Sequence, residues 1–354
     1  MAIYKIFQTA LENSLESSDI VTNVKDTVSS GMWADGAGTI TAFYTSSTQS
    51  SSNHQYYLDV YSANPQSDST AKPQFSVAYG HFNGSGSAGA IGVDGNRASA
   101  TIYRQLANTL LGPTEEQFQF ANTSGLNDGK PDYVYAISIA RQQLREKMDP
   151  GNWELHLSAS GTPAEYGVIK LIDDSNATTN PTMNQGGRVF NIVSGSIAGG
   201  TANIHTAAAS EPGGGLGLFY PDLGILVLNG PALNVTASLS TGVASNTEGG
   251  NVGKFFTAIV GENKFQARRE EVITSQHYFC RVPNKQFNFS SNPTFTSGSK
   301  GSFTVPTFYR NPKSYITQVG LYNNSNELLA IAKLSKPLLK TYSREAIIKV
   351  KLDF

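Results

Sequence analysis

Apolar positions along this chain follow two rhythms, one near four residues in a few short stretches and one of two residues in many more. Ile6, Ala10, Leu11 and Leu15 fall on one stripe and predict a helix over residues 2–18. Ile102, Leu106 and Leu110 recur every four residues. Asn96 suits the start of that helix and Gly112-Pro113 its end, so a helix is predicted over residues 97–111. Residues 141–147 read as a short charged helical turn, ended by Asp149-Pro150-Gly151 as a tight turn. Val252, Phe255, Ile259 and Val260 predict a further helix, followed by the charged run QARREEV.

The rest of the pattern is extended. Runs rich in aromatic and β-branched residues predict strands over residues 39–45, 55–61, 74–79 and 133–140. Trp153, Leu155 and Leu157 alternate with Glu154, His156 and Ser158, which places the apolar three on one face. Short strands are predicted at 168–172, 189–193 and 225–228, with Asp222-Leu223-Gly224 as a hairpin bend. Residues 278–289 read as extended, and the strands 315–322 and 327–334 flank the turn Asn323-Asn324-Ser325-Asn326. Ile348, Val350, Leu352 and Phe354 alternate with Lys349, Lys351 and Asp353, so the end of the chain is expected to be fastened in a sheet. Between these elements lie loops rich in Gly, Ser and Asn, and no fixed-period repeat is visible.

The fold class expected is therefore α+β: β-rich, mostly antiparallel sheets, a few short helices and long Gly/Ser/Asn-rich loops. Three regions are expected: an N-terminal α+β domain over 1–160, a β-rich and loop-rich middle over 161–250, and a C-terminal β domain over 251–354 that can pack with the first. The 354 residues include only 15% charged ones and carry a formal net charge of -1, which gives no electrostatic footprint for nucleic acid or an anionic membrane. No apolar run is long enough to span a bilayer, and the first residues lack the pattern of an export signal. The single cysteine, Cys280, sits in Tyr278-Phe279-Cys280 and is expected to be a buried, inert thiol.

Candidate chemistry is sparse. Gly84-x-Gly86-x-x-Gly89 follows a strand and has the spacing of a dinucleotide loop, but AIGVDG separates it from the next helix and no strand with an acid follows about 20 residues on. A flexible or interface-forming turn fits the loop better. His54, His81, His156, His205 and His277 lie far apart, and His156 is expected on the solvated side of its strand. No Gly-x-Ser-x-Gly elbow is present. Asp173-Asp174 ends a strand, where carboxylates can bind a cation, but neighbours in a strand face opposite ways. No catalytic residue, metal ligand or cofactor site is assigned.

Several stretches carry a resemblance. QFSVAYGHFNGSGSAG (74–89) is followed by a helix with Ile102, Tyr103 and Leu106, then by DYVYAISIARQQLREKMDPGNWELHL. The far end holds YITQVGLYNNSNELLAIAKLSKPL and IIKVKLDF. Together these resemble virion structural proteins of contractile-tailed bacteriophages, of the cyanophage-like myovirus type, with the VGLYNNSNELLAIAKL hairpin the most specific part. The resemblance spans about half of the chain, and the middle region takes no part in it. It implies a non-enzymatic component of the tail baseplate, of wedge type, without a cofactor. Its partners would be other phage tail and baseplate proteins, in multiple copies within a symmetric assembly, with no nucleic acid and no membrane. Its location would be the virion tail, after assembly in the host bacterial cytoplasm. Gly84, Gly86, Gly89, Tyr322, Asn324 and Phe354 are the candidate assembly contacts. The competing expectation is a carbohydrate- or receptor-binding module that uses Tyr56, Tyr57 and Tyr61 as a platform, and a glycan hydrolase ranks third.

Overall fold

The computed structural model describes residues 20–46, 56–87, 97–120, 130–158, 168–176, 181–201, 215–237, 239, 250–289, 293–323 and 325–353. The helix expected over 2–18 lies outside these residues. In chain order the first elements are β1 (Ile20–Gly31), β2 (Thr39–Ile40), β3 (Tyr44–Thr45), β4 (Tyr57–Tyr61), β5 (Pro73–His81), α1 (Ala98–Leu110), β6 (Tyr133–Ile139), α2 (Arg141–Leu144) and β7 (Lys147–Ser158). Next come β8 (Val168–Asp173), β9 (Thr182–Asn184), β10 (Gly187–Ser196), β11 (Gly200–Thr201), β12 (Gly217–Tyr220) and β13 (Ile225–Asn229). The remaining elements are α3 (Gly230–Ala237), α4 (Gly250–Glu262), β14 (Phe265–Val282), β15 (Thr296–Ser297), β16 (Ser302–Phe303), β17 (Lys313–Tyr322), β18 (Leu328–Thr341) and β19 (Ala346–Asp353). The protein is α+β with β dominance, and its sheets are mostly antiparallel, as predicted.

The chain divides into two compact units, residues 28–271 and residues 1–27 with 272–354. This differs from the three regions read from the sequence. The expected cut at 160/161 falls between β7 and β8, which pair directly from Leu155↔Leu171 to Ser158↔Val168. The expected cut at 250/251 falls at the start of α4, whose Val252, Phe255 and Ile259 belong to the core of the larger unit.

In the 28–271 unit the strands run in the order β14–β7–β8–β10–β12–β13–β6–β5–β4–β3. The two ends of this path meet. Thr39 and Ile40 pair with Gln266 and Phe265, while Tyr44 and Thr45 pair with Tyr61 and Val60. One short segment therefore joins the first strand of the path to the last, and the sheet closes on itself. Rings from both ends confirm the approach: Phe75 of β5 and Phe265 of β14 stand 5.3 Å apart, with Trp33 4.9 Å from Phe265. Closure removes exposed edges and gives the alternating strands one interior to fill. Trp153, Leu155 and Leu157 point into it with Phe219, Ile137 and Phe255.

A second core lies under α1, where Tyr103, Ala107 and Leu110 meet Val134, Val189, Tyr220 and Val227. The buried stripe of α1 is thus rotated from the one predicted, since Ile102 and Leu106 are only half-buried. The cause is Gly80 of β5, where an added Cβ would lie 3.0 Å from the backbone nitrogen of Tyr103. The missing side chain lets the helix settle close to the strand, with small residues Ser99, Ala100 and Ala107 on its buried side.

Asp149-Pro150-Gly151 is not a free turn. It lies inside β7 as a bulge: Trp153 pairs with Ala267 and Met148 with Arg269, leaving the residues between without partners in register. Gly151 takes φ +78 there, a left-handed conformation that glycine adopts without steric cost. β14 also starts earlier than the extended run predicted at 278, because the charged run QARREEV belongs to it, whereas residues 283–289 leave the sheet.

In the other unit, residues 275–282 of β14 pair with β19, Cys280 opposite Ile348 and Tyr278 opposite Val350. The predicted alternation holds: Ala346, Ile348 and Val350 are buried, while Ile347, Lys349 and Lys351 are exposed. β17 and β18 form a long hairpin. Its inner residues Ile316, Val319, Leu321, Ala330 and Ala332 share a small core with Ile348 and Val350. Cys280 is half-buried rather than buried.

Candidate functional site

The glycine loop has an internal task. Gly84 and Gly86 take φ +80 and +73 and are buried, and Gly89 lies outside the described residues. The loop turns its carbonyls toward donors. Tyr79 Oη and Ser99 Oγ donate to the Ser85 carbonyl at 3.2 and 3.1 Å, and Ser87 Oγ donates to that of Gly84 at 3.0 Å. Phosphate recognition would need backbone N–H groups facing the ligand. Ser87 Oγ instead stands 3.4 Å from the backbone N–H of Ser99, at the first turn of α1. It takes the capping role expected of Asn96, which lies outside the described residues; Arg97, at the N-cap, makes no side-chain cap. Burial of Gly84 and Gly86 also corrects their assignment as assembly contacts.

Ionisable clusters are likewise committed. His156, expected to be solvated, is buried, and so is Glu154 on the same strand. Glu154 Oε1 accepts from His156 Nε2 at 3.0 Å and from Lys264 Nζ, and Oε2 accepts from the Ile197 backbone at 2.9 Å. Burial pushes the Glu154 carboxyl up, but these donors outweigh it and leave its pKa below the usual value. Burial lowers the pKa of His156 despite the carboxylate beside it. The turn that follows β10 and Lys264 both reach Glu154, contacts invisible in the period of β7 alone.

Asp173 and Asp174 do face opposite ways. Asp173 is fully buried and accepts from the backbones of Gly151 and Ser175 at 2.8 and 2.9 Å. Asp174 accepts from the backbone and amide of Asn191 at 2.9 and 2.8 Å. No group of three or more His, Cys, Asp or Glu side chains placed to hold a metal ion occurs among the described residues. The tyrosine platform is only partly formed. Tyr56 is buried, whereas Tyr57 and Tyr61 share a face of β4 with exposed Tyr44, the register partner of Tyr61.

The C-terminal hairpin presents the other arrangement. Its tip is fixed by Asn323, whose Oδ1 accepts from Ser325 and Glu327 backbones at 3.0 and 2.8 Å and whose amide donates to Glu327 at 2.6 Å. Next to this tip the pairing shifts between Leu321 and Tyr322, a bulge that brings Leu328 opposite Tyr322. Tyr322 leans over Gly320, where a Cβ would lie 2.9 Å from its ring. The outward face therefore carries Tyr315, Leu329 and Ile331, 62%, 68% and 51% exposed. Of the predicted contacts, Tyr322 is exposed at this bulge, and Asn324 and Phe354 lie outside the described residues. Leu329 and Ile331 were not singled out in the sequence. The signal was available in Leu328-Leu329, two adjacent leucines that one side of a strand cannot bury together.

Lys340 at the base of the hairpin is buried, and its ammonium donates to the carbonyl of Asn284 at 3.1 Å, to Asn288 Oδ1 at 2.6 Å and to the carbonyl of Gln286. It fastens the 284–288 turn to β18. Burial lowers its pKa.

No helix among the described residues is long and apolar enough to cross a membrane. No protein-family model matches the chain, and no curated protein or solved structure matches it either.

Proposed function

We propose that this chain is a non-enzymatic structural subunit of a phage virion, placed in the tail baseplate, and that it works by subunit-to-subunit contact. The observation that carries the reading is the outward face of the β17–β18 hairpin. Tyr315, Leu329 and Ile331 are exposed on a hairpin whose tip and base are both fixed by hydrogen bonds. Exposed apolar side chains on an ordered element are what an assembly interface presents before its partner arrives. The hairpin is also the part of the sequence that most resembles contractile-tail virion proteins. The partners are other tail and baseplate proteins, in several copies, and the place of assembly is the host bacterial cytoplasm.

Mass spectrometry of purified particles tests the placement: the chain is expected as a stoichiometric component, and its absence would overturn the reading. Leu329→Asp combined with Ile331→Asp tests the surface. The double variant is expected to fold and to be excluded from particles; normal incorporation would remove the hairpin face from the mechanism.

A further inference from the structure

The formal charge of -1 conceals a segregation. Residues 28–271 hold 20 Asp and Glu against 13 Lys and Arg, a net charge of -7. Residues 272–354 hold 3 Asp and Glu against 11 Lys and Arg, a net charge of +8. The stretch 1–27 that completes the smaller unit lowers this only to +6. The few carboxylates of 272–354 are engaged locally. Glu345 pairs with Arg281 at 2.8 Å, Asp353 with Lys351 at 3.1 Å, and Glu327 accepts from the Asn323 amide in the hairpin tip at 2.6 Å.

The surplus cations stand among the exposed apolar side chains. Leu329, Ile331 and Lys333 follow one another at a spacing of two on β18 and are all exposed, so they share the outward face. The register partner of Lys333 is Gln318 rather than a carboxylate. On β17 Lys313 and Tyr315, two residues apart, are both exposed. Neither Lys313 nor Lys333 makes an ion pair among the described residues. A surface that mixes Leu, Ile and Tyr with uncompensated Lys is complemented by one that is apolar and acidic. The same face on a second copy is basic too, so hairpin-to-hairpin contact sets like charges together and is disfavoured. The 28–271 unit of that copy carries the opposite sign. Exposed Leu and Ile also distinguish this face from a phosphate-binding one, which is built on cations, hydroxyls, amides and backbone N–H groups.

We propose that the hairpin face docks onto the 28–271 unit of a second copy of this chain, a heterologous contact that joins copies head to tail into a ring or a filament. This partnership rests on the hairpin face being a contact surface, as proposed above, and is independent of the virion placement.

Sedimentation velocity of the full chain, in a concentration series up to about 100 μM, tests this. Self-association is expected at about 0.1 M salt. It should weaken by about tenfold or more at about 1 M, where the screening length falls from about 10 to about 3 Å. Lys313→Glu with Lys333→Glu, its fold checked by an unchanged melting temperature, is expected to weaken low-salt association by about tenfold or more. Leu329→Asp with Ile331→Asp is expected to stay monomeric alone yet still bind wild-type chain, because its intact 28–271 unit accepts the wild-type hairpin. The proposal is overturned by a wild-type chain that stays monomeric at low salt, or by association indifferent to salt and to the Lys pair. It is equally overturned if the Asp double variant no longer binds wild type, which would indicate hairpin-to-hairpin contact. Monomers that bind duplex DNA would give the face to nucleic acid instead. A monomeric chain that mass spectrometry still finds in purified particles would leave the assembly role standing and remove only the second copy as its partner.

Discussion

The two units are made of the same material, antiparallel strands with alternating side chains, and they bury it in opposite ways. In residues 28–271, polar outward positions are covered. Glu154 and His156 lie on the outer side of β7, yet both are buried: Glu154 is held by the turn after β10 and by Lys264, and His156 by Glu154. In residues 272–354, apolar outward positions are left uncovered, with Leu329 and Ile331 facing solvent on β18. The first unit has large clusters built around Trp33, Trp153, Phe75 and Phe265, while the second has a small one around Leu321, Ile348 and Val350. Alternation therefore tells which residues share a face but not what lies over that face. Closure answers the question for one unit; in the other the face stays open to solvent.

The contrast can be broken most forcefully at the closure. Phe265→Ala removes a fully buried ring in contact with Trp33 and Phe75, and is expected to cost about 3–5 kcal/mol in chemical denaturation. A loss below about 1 kcal/mol would mean that the ends of the sheet do not depend on each other. Lys340→Met keeps the length of the side chain but orphans the acceptors on the 284–288 turn. It is expected to cost about 1–3 kcal/mol, with hydrogen exchange and proteolysis increased only in residues 272–354. Equal loosening of both units would show that the clamp serves more than its own hairpin.

Acidification should act on the closed unit. The pKa of His156 is lowered below 6.5 by burial, so its neutral form is the one the fold prefers. Its contribution is fully present above 6.5 and is lost as the pH falls through the lowered value. His81, also lowered by burial, adds in the same direction. The denaturation midpoint of this unit is expected to drop as the pH falls below 6.5, with a shallower drop in His156→Phe. A wild-type midpoint independent of pH in that range would refute the assignment. The smallest effect on stability is expected from Leu329→Asp with Ile331→Asp, within about 0.5 kcal/mol, although the same pair should abolish association.

Much of this was legible in the sequence wherever one period ran uninterrupted. The strand at 348–352, the alternation at Trp153–Leu157, the helix after Arg97 and both hairpins follow directly from spacing and turn residues. What stayed hidden depends on contacts between distant segments. Thr39-Ile40 and Tyr44-Thr45 read as one strand, and nothing local shows that each half has a different neighbour. The bulge at 149–151 looks like a turn because Pro and Gly mark both. Ser87 was invisible as a cap because it lies far ahead of its helix in sequence rather than one residue before it.

The seam between the two ends of the sheet also sets an order of events. The Trp33 indole donates to the Phe265 carbonyl across a sequence separation of 232 residues, and Ile40 pairs with the same residue. During synthesis the segment at 39–45 emerges early and can find its first partner, β4, almost at once. Its second partner does not exist until nearly three-quarters of the chain has been made. Until then one edge of the sheet stays open, at the stage when a nascent chain is most exposed to pairing with its neighbours. The closure that makes the finished unit self-contained is thus the last thing the ribosome allows it to have.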